Sequence, residues 1–216
     1  SRGDMMGIKV LIVDDHAILR RGLRQIVSEA GDIEVVGEAS NSAEAMRFVR
    51  DSECEVVLLD ITMPDRNGIE TLQLIKKEKP RIAVLMLSMH PESQYAVRAL
   101  RAGAAGYLNK QAVPSQLVAA VRQVHQGRKF LTETVAEELA QTLNQDPFAP
   151  SHQSLSNREF ETLRLLASGH TLTQTAEHMA ISVKTVSVYR ARLLEKLGMK
   201  NNAELTHYAI KNNLVD

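Results

Sequence analysis

The stretch VVLLDITMP, which runs from Val56 to Pro64, joins four consecutive aliphatic residues to a carboxylate at Asp60. A short aliphatic run of this kind is typical of a strand buried on both faces of a parallel sheet. In open α/β sheets, ligands bind outside the carboxyl ends of the strands, which is where this pattern puts Asp60. Asp60 is therefore a candidate reactive group, although capping of the following turn is an equally simple role for it.

The bulk composition sets limits on the rest of the chain. It has 216 residues, 26 basic and 26 acidic side chains, and one cysteine, Cys54. This length favours two domains, and the balanced charge means that any signal for a nucleic-acid partner must be local. One cysteine excludes an internal disulfide and a cysteine-rich metal site. No apolar stretch is long enough to span a bilayer and no secretory signal is present, so we expect a cytoplasmic protein without a membrane partner.

Strand and helix patterns alternate five times in the first half of the chain. The strands are expected to begin at Ile8 and to cover 33–36, 56–59, 82–87 and 106–108. The helices are expected near 18–31, from Ser42, whose side chain can cap the helix, and over 68–77, 93–102 and 114–125. The first helix carries an apolar face that consists of Ile18, Leu19, Leu23, Ile26 and Val27. Such alternation predicts a parallel sheet with helices on both faces.

Polar residues follow four of the five predicted strands, and these are Asp14, Asp15, Asp60, Ser88 and Lys110. Because the carboxyl ends of parallel strands share one edge, we expect these side chains to lie close together. Three carboxylates repel one another unless a hard cation lies among them. We expect Mg²⁺, with Mn²⁺ as a substitute, bound by the three aspartates and the backbone carbonyl of Thr62. With a lysine and a hydroxyl opposite, the set indicates phosphoryl transfer onto Asp60.

Residues 8–126, with the motifs VDDH, LLDITMPDRNG, LMLS and GYLNK, resemble the receiver domain of a two-component response regulator. The resemblance implies a flavodoxin-like sheet with strand order 2-1-3-4-5. It also implies that Asp60 accepts a phosphoryl group from the phosphohistidine of a sensor histidine kinase, and that the receiver catalyses its own Mg²⁺-dependent phosphorylation and dephosphorylation. By the same resemblance, Ser88 turns towards the phosphoryl group, Tyr107 moves inward behind it, and Lys110 contacts the phosphoryl oxygens.

The middle of the chain predicts a connection between two domains. A helical pattern begins near Leu131 with Thr132 as its cap, and the segment DPFAPSHQS after it has no apolar period. We therefore expect a receiver domain over 6–128, a connector helix and linker over 129–154, and a second domain over 155–216. His152 is expected to be a solvated linker residue.

The second half reads as four short helices with no strand signal. Ser156 with Glu159 and Thr171 with Gln174 each form a capping-box pattern, and Ser182 precedes a longer third helix. A short helix, a tight turn and a longer helix form the helix-turn-helix pattern. Across the third helix and its exit, the cations Lys184, Arg190, Arg192, Lys196 and Lys200 accompany one acid, Glu195. This local positive charge indicates a DNA-binding surface, although a solvated helix face would look similar.

The sequences LSNREFETLRLLASGHT and ISVKTVSVYRARLLEKLGMKNNAEL are similar to the LuxR/NarL-type DNA-binding domain over residues 155–212. The similarity implies a recognition helix that contacts double-stranded promoter DNA through Lys184, Thr185, Ser187, Val188, Tyr189, Arg190, Ala191, Arg192 and Lys196. Thr175 stands where an aliphatic residue is usual, which predicts looser packing between the second and third helices. The last helix is expected to expose Leu205, Tyr208 and Ala209 on one side, although packing on its own domain would account for at least part of this apolar stripe. In this family that element often pairs with its twin in a homodimer.

These features together predict a NarL/FixJ-type response regulator, a transcription regulator rather than an enzyme with an external substrate. Phosphorylation of Asp60 would control dimerisation and promoter binding. Three alternatives stay open. An aspartyl phosphatase would need a general acid where Thr62 stands, and an FMN carrier would need a phosphate loop where Asp14 and Asp15 stand. A receiver that responds to a ligand or protein rather than to phosphorylation would share the fold.

Overall fold

The computed structural model describes residues 7–63, 66–89, 94–144 and 151–215. The chain separates after Leu139 into two compact units. Three parts of the sequence predictions fall outside the described residues: positions 64 and 65 of the motif LLDITMPDRNG, the start of the fourth helix at Ser93, and the central part of the linker at 145–150. None of the described helices is both long and apolar enough to cross a membrane.

The first unit is built on a five-stranded parallel sheet with the order β2-β1-β3-β4-β5, which confirms the predicted flavodoxin-like topology. The strands are β1 (Ile8–Val13), β2 (Ile33–Ala39), β3 (Val56–Asp60), β4 (Ala83–Ser88) and β5 (Gly106–Asn109). The helices between and after them are α1 (Ala17–Ser28), α2 (Ser42–Asp51), α3 (Gly68–Glu78), α4 (Gln94–Arg101) and α5 (Val113–His125). A further helix, α6 (Glu133–Leu143), crosses the division between the units.

The core of this unit explains why β3 can present a single polar tip. All five residues of β3 are buried, because the strand lies between β1 and β4 and has helices over both faces. Leu58 and Leu85 of the central strands pack in one cluster with Leu23 of α1 and Val121 of α5. The strand therefore holds Asp60 rigidly at the carboxyl edge of the sheet.

Two local predictions in this unit are wrong. Ile18 and Leu19 do not join the core: they lie in the first turn of α1 and are 85% and 36% exposed, whereas Leu23 and Val27 further along the helix are buried. The cap of α2 is Asn41 rather than Ser42, since the Asn41 side chain accepts from the Glu44 N–H at 2.8 Å. The Ser42 hydroxyl instead accepts a hydrogen bond from Thr71 at 2.8 Å.

Beyond α5 the chain returns to the edge of the sheet before α6 begins. The Phe130 N–H donates to the Ala105 carbonyl at 2.9 Å, and the Tyr107 N–H donates to the Phe130 carbonyl at 3.4 Å. Phe130 thus forms a parallel bridge with Gly106 on the outer side of β5. Thr132 caps α6, as predicted, by accepting from the Val135 N–H at 3.3 Å.

The second unit contains the four predicted helices, α7 (Asn157–Ala167), α8 (Leu172–Met179), α9 (Val183–Leu197) and α10 (Asn202–Lys211). Both predicted capping boxes are present, at Ser156 and Thr171, and Ser182 caps α9 by accepting from the Thr185 N–H. The turn between α8 and α9 is tight because Ala180 adopts a left-handed conformation with φ of 55°. This arrangement confirms the predicted helix-turn-helix domain.

Two predictions about the surface of this unit are wrong for the same reason. His152 is buried rather than solvated, and its Nδ1 and backbone N–H lie 2.8 and 2.9 Å from the Tyr208 hydroxyl. Leu205 and Ala209 are fully buried rather than exposed on α10. The apolar residues of a short helix pack first into the core of their own small domain, so Leu205 and Ala209 offer no exposed surface to a partner.

Candidate phosphoryl-acceptor and DNA-binding sites

The parallel register brings the strand tips to one edge, as predicted. Val13 is paired with Leu59 and Asp60 with Leu87, so Asp14, Asp60 and Ser88 follow or end three neighbouring strands. Asp14 and Ser88 are buried, like Asp60. Their positions follow directly from aliphatic strands of matched length that each stop at a polar residue.

Lys110, which follows β5, contacts both buried acids, Asp14 and Asp60. Its Nζ lies 2.6 Å from Asp14 Oδ2 and 3.3 Å from Asp60 Oδ2, and its side chain is only 6% exposed. The Asp14 carboxylate also accepts from the His16 N–H at 2.8 Å. These contacts fix Asp14 and Lys110, while Asp60 Oδ1 accepts a longer hydrogen bond from the Thr62 N–H at 3.3 Å.

The surroundings of the Asp60 carboxyl disfavour its ionised form. Burial, chiefly, and the neighbouring charge of Asp14 raise its pKa to about 6, although Lys110 and the Thr62 N–H act in the opposite direction. The Lys110 ammonium therefore does not offset the cost of burying the Asp60 carboxylate next to Asp14. A divalent cation or an attached phosphoryl group with its counter-ion would change this balance.

Four residues could hold such a cation: Asp14, Asp15, His16 and Asp60. Their ligand atoms all lie within 4.8 Å of one another. Three carboxylates form a hard oxygen donor set that fits Mg²⁺, with water completing the shell. His16 had no role in the sequence prediction, although its place directly after the acidic pair is the signal that could have found it. The prediction that the Thr62 carbonyl is a ligand stays a prediction.

Both residues that the resemblance names as switch residues are buried. Ser88 is 1% exposed at the end of β4, and Tyr107 is fully buried in β5. Tyr107 thus occupies the inward position in this structure. The movements that the resemblance implies for both residues stay predictions.

Ile61, the residue after Asp60, contacts the start of α3. The Gly68 N–H donates to the Ile61 carbonyl at 2.8 Å. A Cβ atom on Gly68 would lie 2.5 Å from the Asp60 carbonyl oxygen, which is backbone and cannot move aside easily. Glycine is therefore needed here by the close approach of the two backbone segments.

In the second unit, α9 presents the predicted DNA-contacting residues to different degrees. Those with exposed side chains are Lys184, Ser187, Val188, Ala191, Arg192 and Lys196, and those partly buried are Thr185, Tyr189 and Arg190. Between them, Val186 and Leu193 are buried and anchor the helix to its domain. The exposed residues follow the spacing of one helix face, which suits insertion into a major groove.

Two of these cations are held by neighbours. The Lys196 ammonium lies 2.6 Å from Glu159 Oε1, and the Arg190 Nε donates to Asn202 Oδ1 at 2.7 Å. Glu159 is itself buried within the capping box of α7. Lys196 therefore stabilises the junction of α7 and α9. Lys184 and Arg192 form no ion pair with any residue that the structure describes, so they carry most of the free positive charge of this helix face.

Comparisons with known proteins agree with this geometry. Residues 10–122 match the family model described as "Response regulator receiver domain", and residues 153–209 match "Bacterial regulatory proteins, luxR family". The chain belongs to the response regulators that join a receiver to a LuxR-type DNA-binding domain, the NarL/FixJ class. It is therefore a DNA-binding transcription regulator of a two-component system.

Individual relatives cover nearly the whole chain. It is 36% identical to the response regulator UvrY of Escherichia coli K12, an alignment that spans 96% of this chain and 95% of that protein. Among solved structures, RcsB of Salmonella enterica serovar Typhimurium, bound to promoter rprA with the phosphomimetic BeF3⁻, is 26% identical with a TM-score of 0.68 over 94% of this chain and 98% of that one. A structure of two RcsB dimers bound to two parallel DNAs is 28% identical with a TM-score of 0.59 and the same coverage.

Family membership decides between most of the alternatives. It favours the response regulator over an aspartyl phosphatase and an FMN carrier, because both halves of the chain match in the expected order. A receiver that responds to something other than phosphorylation would match the same models, so that alternative is decided only by chemistry at Asp60.

Proposed function

We propose that Asp60 is the phosphoacceptor of this response regulator and that a sensor histidine kinase is the donor. An oxygen of the Asp60 carboxylate attacks the phosphorus of a phosphohistidine, the P–N bond breaks, and the imidazole leaves as an acyl phosphate forms on Asp60. The observation that carries the proposal is the position of Asp60 at the carboxyl edge, between Asp14 and Lys110 and beside the cation-binding residues.

The surrounding residues have separate roles in this reaction. Asp14, Asp15 and Asp60, with the Thr62 carbonyl, would hold Mg²⁺ or Mn²⁺, which when bound would neutralise charge on the phosphoryl oxygens. Lys110 is held by Asp14 and lies beside the acceptor, so it can pair with a phosphoryl oxygen without a large movement. Ser88 would donate its hydroxyl to another oxygen, and Tyr107 would pack behind it. The same site would catalyse hydrolysis of the acyl phosphate.

Phosphate incorporation from a small acyl-phosphate donor tests whether Asp60 is the phosphoacceptor. Wild-type protein should incorporate phosphate with Mg²⁺ and should stop doing so when the metal is chelated. Asp60→Asn should incorporate none, whereas Asp51→Asn, an exposed acid at the end of α2, should behave as wild type. Incorporation by Asp60→Asn would mean that another residue accepts the phosphoryl group. No incorporation by wild type would favour a receiver that responds to a ligand or a protein instead of phosphorylation.

We further propose that α9 reads promoter DNA and that phosphorylation favours a homodimer, the DNA-binding form. The exposed face of α9 supports this role, with Lys184 and Arg192 against phosphates or guanine edges, Ser187, Val188 and Ala191 against base edges, and Thr185 and Tyr189 near the backbone. Arg190 would contribute beside Asn202. We place the functional boundaries at 6–128, 129–154 and 155–216, and the protein in the cytoplasm, where its DNA partner is.

The salt dependence of promoter binding tests the proposal that α9 contacts DNA. Lys184→Ala and Arg192→Ala should each weaken binding and lower the slope of log K against log salt by about one for each lost phosphate contact. Lys211→Ala, an exposed cation in the last turn of α10, serves as the control for general charge and should change binding little. Equal effects in all three variants would mean that α9 is not the reading element.

A further inference from the structure

A second candidate site lies at the amino ends of the strands, the edge of the sheet opposite to Asp60. Here a cavity of about 410 Å³ opens between the starts of β3, β4 and β5 and the turn that follows α5. We call it the basic pocket, because its lining includes Lys76, Arg81, Arg128 and Lys129. Nothing in the phosphorylation or DNA-binding chemistry uses this cavity.

The charge of the basic pocket is unbalanced. Within the described part of the chain, none of its four cations forms an ion pair. Glu55, the one acid in the lining, is already engaged: one oxygen accepts from the Lys9 N–H at 3.2 Å and the other bonds to His125 Nε2 at 2.5 Å. The cavity therefore concentrates positive charge in a chain whose formal net charge is zero.

Two of the ammonium groups are fixed in place by the backbone. Lys76 Nζ donates to the Pro80 and Ile82 carbonyls at 2.7 and 2.9 Å, and Lys129 Nζ donates to the Ala104 carbonyl at 3.2 Å. Burial and the nearby charge of Lys129 lower the pKa of Lys76. Two like charges are thus held near each other with donor capacity to spare, and a bound anion would relieve their repulsion.

We propose that the basic pocket binds a small multivalent anion of the phosphate class. Four cations from three segments suit several phosphate oxygens better than a single carboxylate, and arginine adds bidentate recognition. The volume is that of a small-molecule site, and Ile82, Ala83 and Val124 provide an apolar wall beside the charges. Inorganic pyrophosphate and a nucleoside triphosphate share this chemistry and differ in whether the apolar wall is used.

Calorimetric titration of the full chain tests the proposal. Pyrophosphate and ATP are titrated separately at an ionic strength of about 0.15 M without divalent metal, so that the acidic edge repels rather than binds them. Saturable binding with one site per chain is expected, and the double variant Arg128→Gln, Lys129→Gln should weaken it about tenfold or more. Equal affinities indicate recognition of phosphate alone, and tighter binding of ATP indicates a nucleotide.

The control is Lys77→Gln, which removes an exposed cation beside Lys76 that does not line the cavity. It should leave the affinity nearly unchanged. The proposal is overturned if neither anion binds, if Lys77→Gln weakens binding as much as the double variant does, or if the double variant impairs only the binding of duplex DNA. Circular dichroism of each variant shows whether a loss of binding reflects a loss of fold.

Discussion

Asp60 illustrates how one buried carboxylate affects both function and stability. Its pKa of about 6 lies above the ordinary 3.8, so the folded protein binds this proton more tightly than the unfolded chain does. The contribution of Asp60 to stability is therefore most favourable below pH 3.8 and is lost as the pH rises through about 6. At neutral pH without metal, Asp60 destabilises the fold.

Asp60→Asn should consequently stabilise the first unit at neutral pH without metal, by about 2 kcal/mol in the free energy of unfolding. The gain should shrink as the pH falls from 7 to 4. Added Mg²⁺ should stabilise wild type more than the variant, because the metal binds only the folded site and Asp60 is one of its ligands. Thermal unfolding with and without a chelator measures all three effects, and an equal response to Mg²⁺ in both proteins would remove Asp60 from the ligand set.

Thr175 is a second residue that should lower the stability of the folded protein by a measurable amount. It is fully buried in α8, and its hydroxyl has no hydrogen-bond partner among the described residues. The structure therefore shows an unsatisfied polar atom at this position, and looser packing between α8 and α9 stays a prediction. Thr175→Val keeps the shape and should raise stability by about 1 kcal/mol.

The matched control for that substitution is Thr162→Val. Thr162 is equally buried, but its hydroxyl donates to the Arg158 carbonyl at 2.8 Å. Its replacement should not stabilise the domain. Denaturant unfolding compares the two variants, and stabilisation by both would mean that hydrophobicity alone, rather than the unpaired hydroxyl, decides the outcome.

Among the elements, the junction of α7 and α9 depends on one acid. Glu159 accepts from the Ser156 N–H at 2.9 Å and pairs with Lys196 at 2.6 Å, 37 residues away. Burial opposes its ionisation, but the bonds from Lys196 and Ser156 outweigh burial and lower its pKa from 4.5. Its stabilising effect is therefore present above pH 4.5 and is lost as the pH falls through the lower folded-state value.

Glu159→Gln keeps a cap acceptor and removes the charge, so we expect a loss of about 2 kcal/mol at neutral pH. The difference from wild type should vanish in acid, at pH values below the folded-state pKa. Glu195→Gln, an exposed acid on α9, provides the control and should have little effect. A pH-independent loss in Glu159→Gln would show that packing rather than the ion pair carries the effect.

Phosphorylation in the first unit must be coupled to DNA binding by the second if this protein acts as a switch. Phosphorylated wild type should bind its promoter at least about tenfold more tightly than the unmodified form, which requires a coupling of about 1.4 kcal/mol. Asp60→Asn treated with the same donor should show no gain. Fluorescence anisotropy with labelled promoter DNA measures both, and sedimentation of the same samples reports whether the gain accompanies dimerisation.

Much of this architecture could be predicted from the sequence, because the deciding signals are local. Strand tips at Asp14, Asp60 and Ser88 follow from aliphatic runs that end at polar residues, and the capping boxes depend on residues three apart. Other features depend on partners far away in the chain. Nothing near His152 shows that Tyr208 will cover it, and nothing near Lys196 shows that Glu159 will hold it.

The bridge between Gly106 and Phe130 also bears on aggregation. β5 is the outermost strand on its side of the sheet, and an open edge of this kind can recruit a strand from another molecule. Phe130 occupies part of that edge with two backbone hydrogen bonds, and a Cβ atom at position 106 would lie 2.7 Å from its carbonyl oxygen. A side chain at position 106 would therefore detach the bridge, and the freed edge would favour self-association of the folded protein.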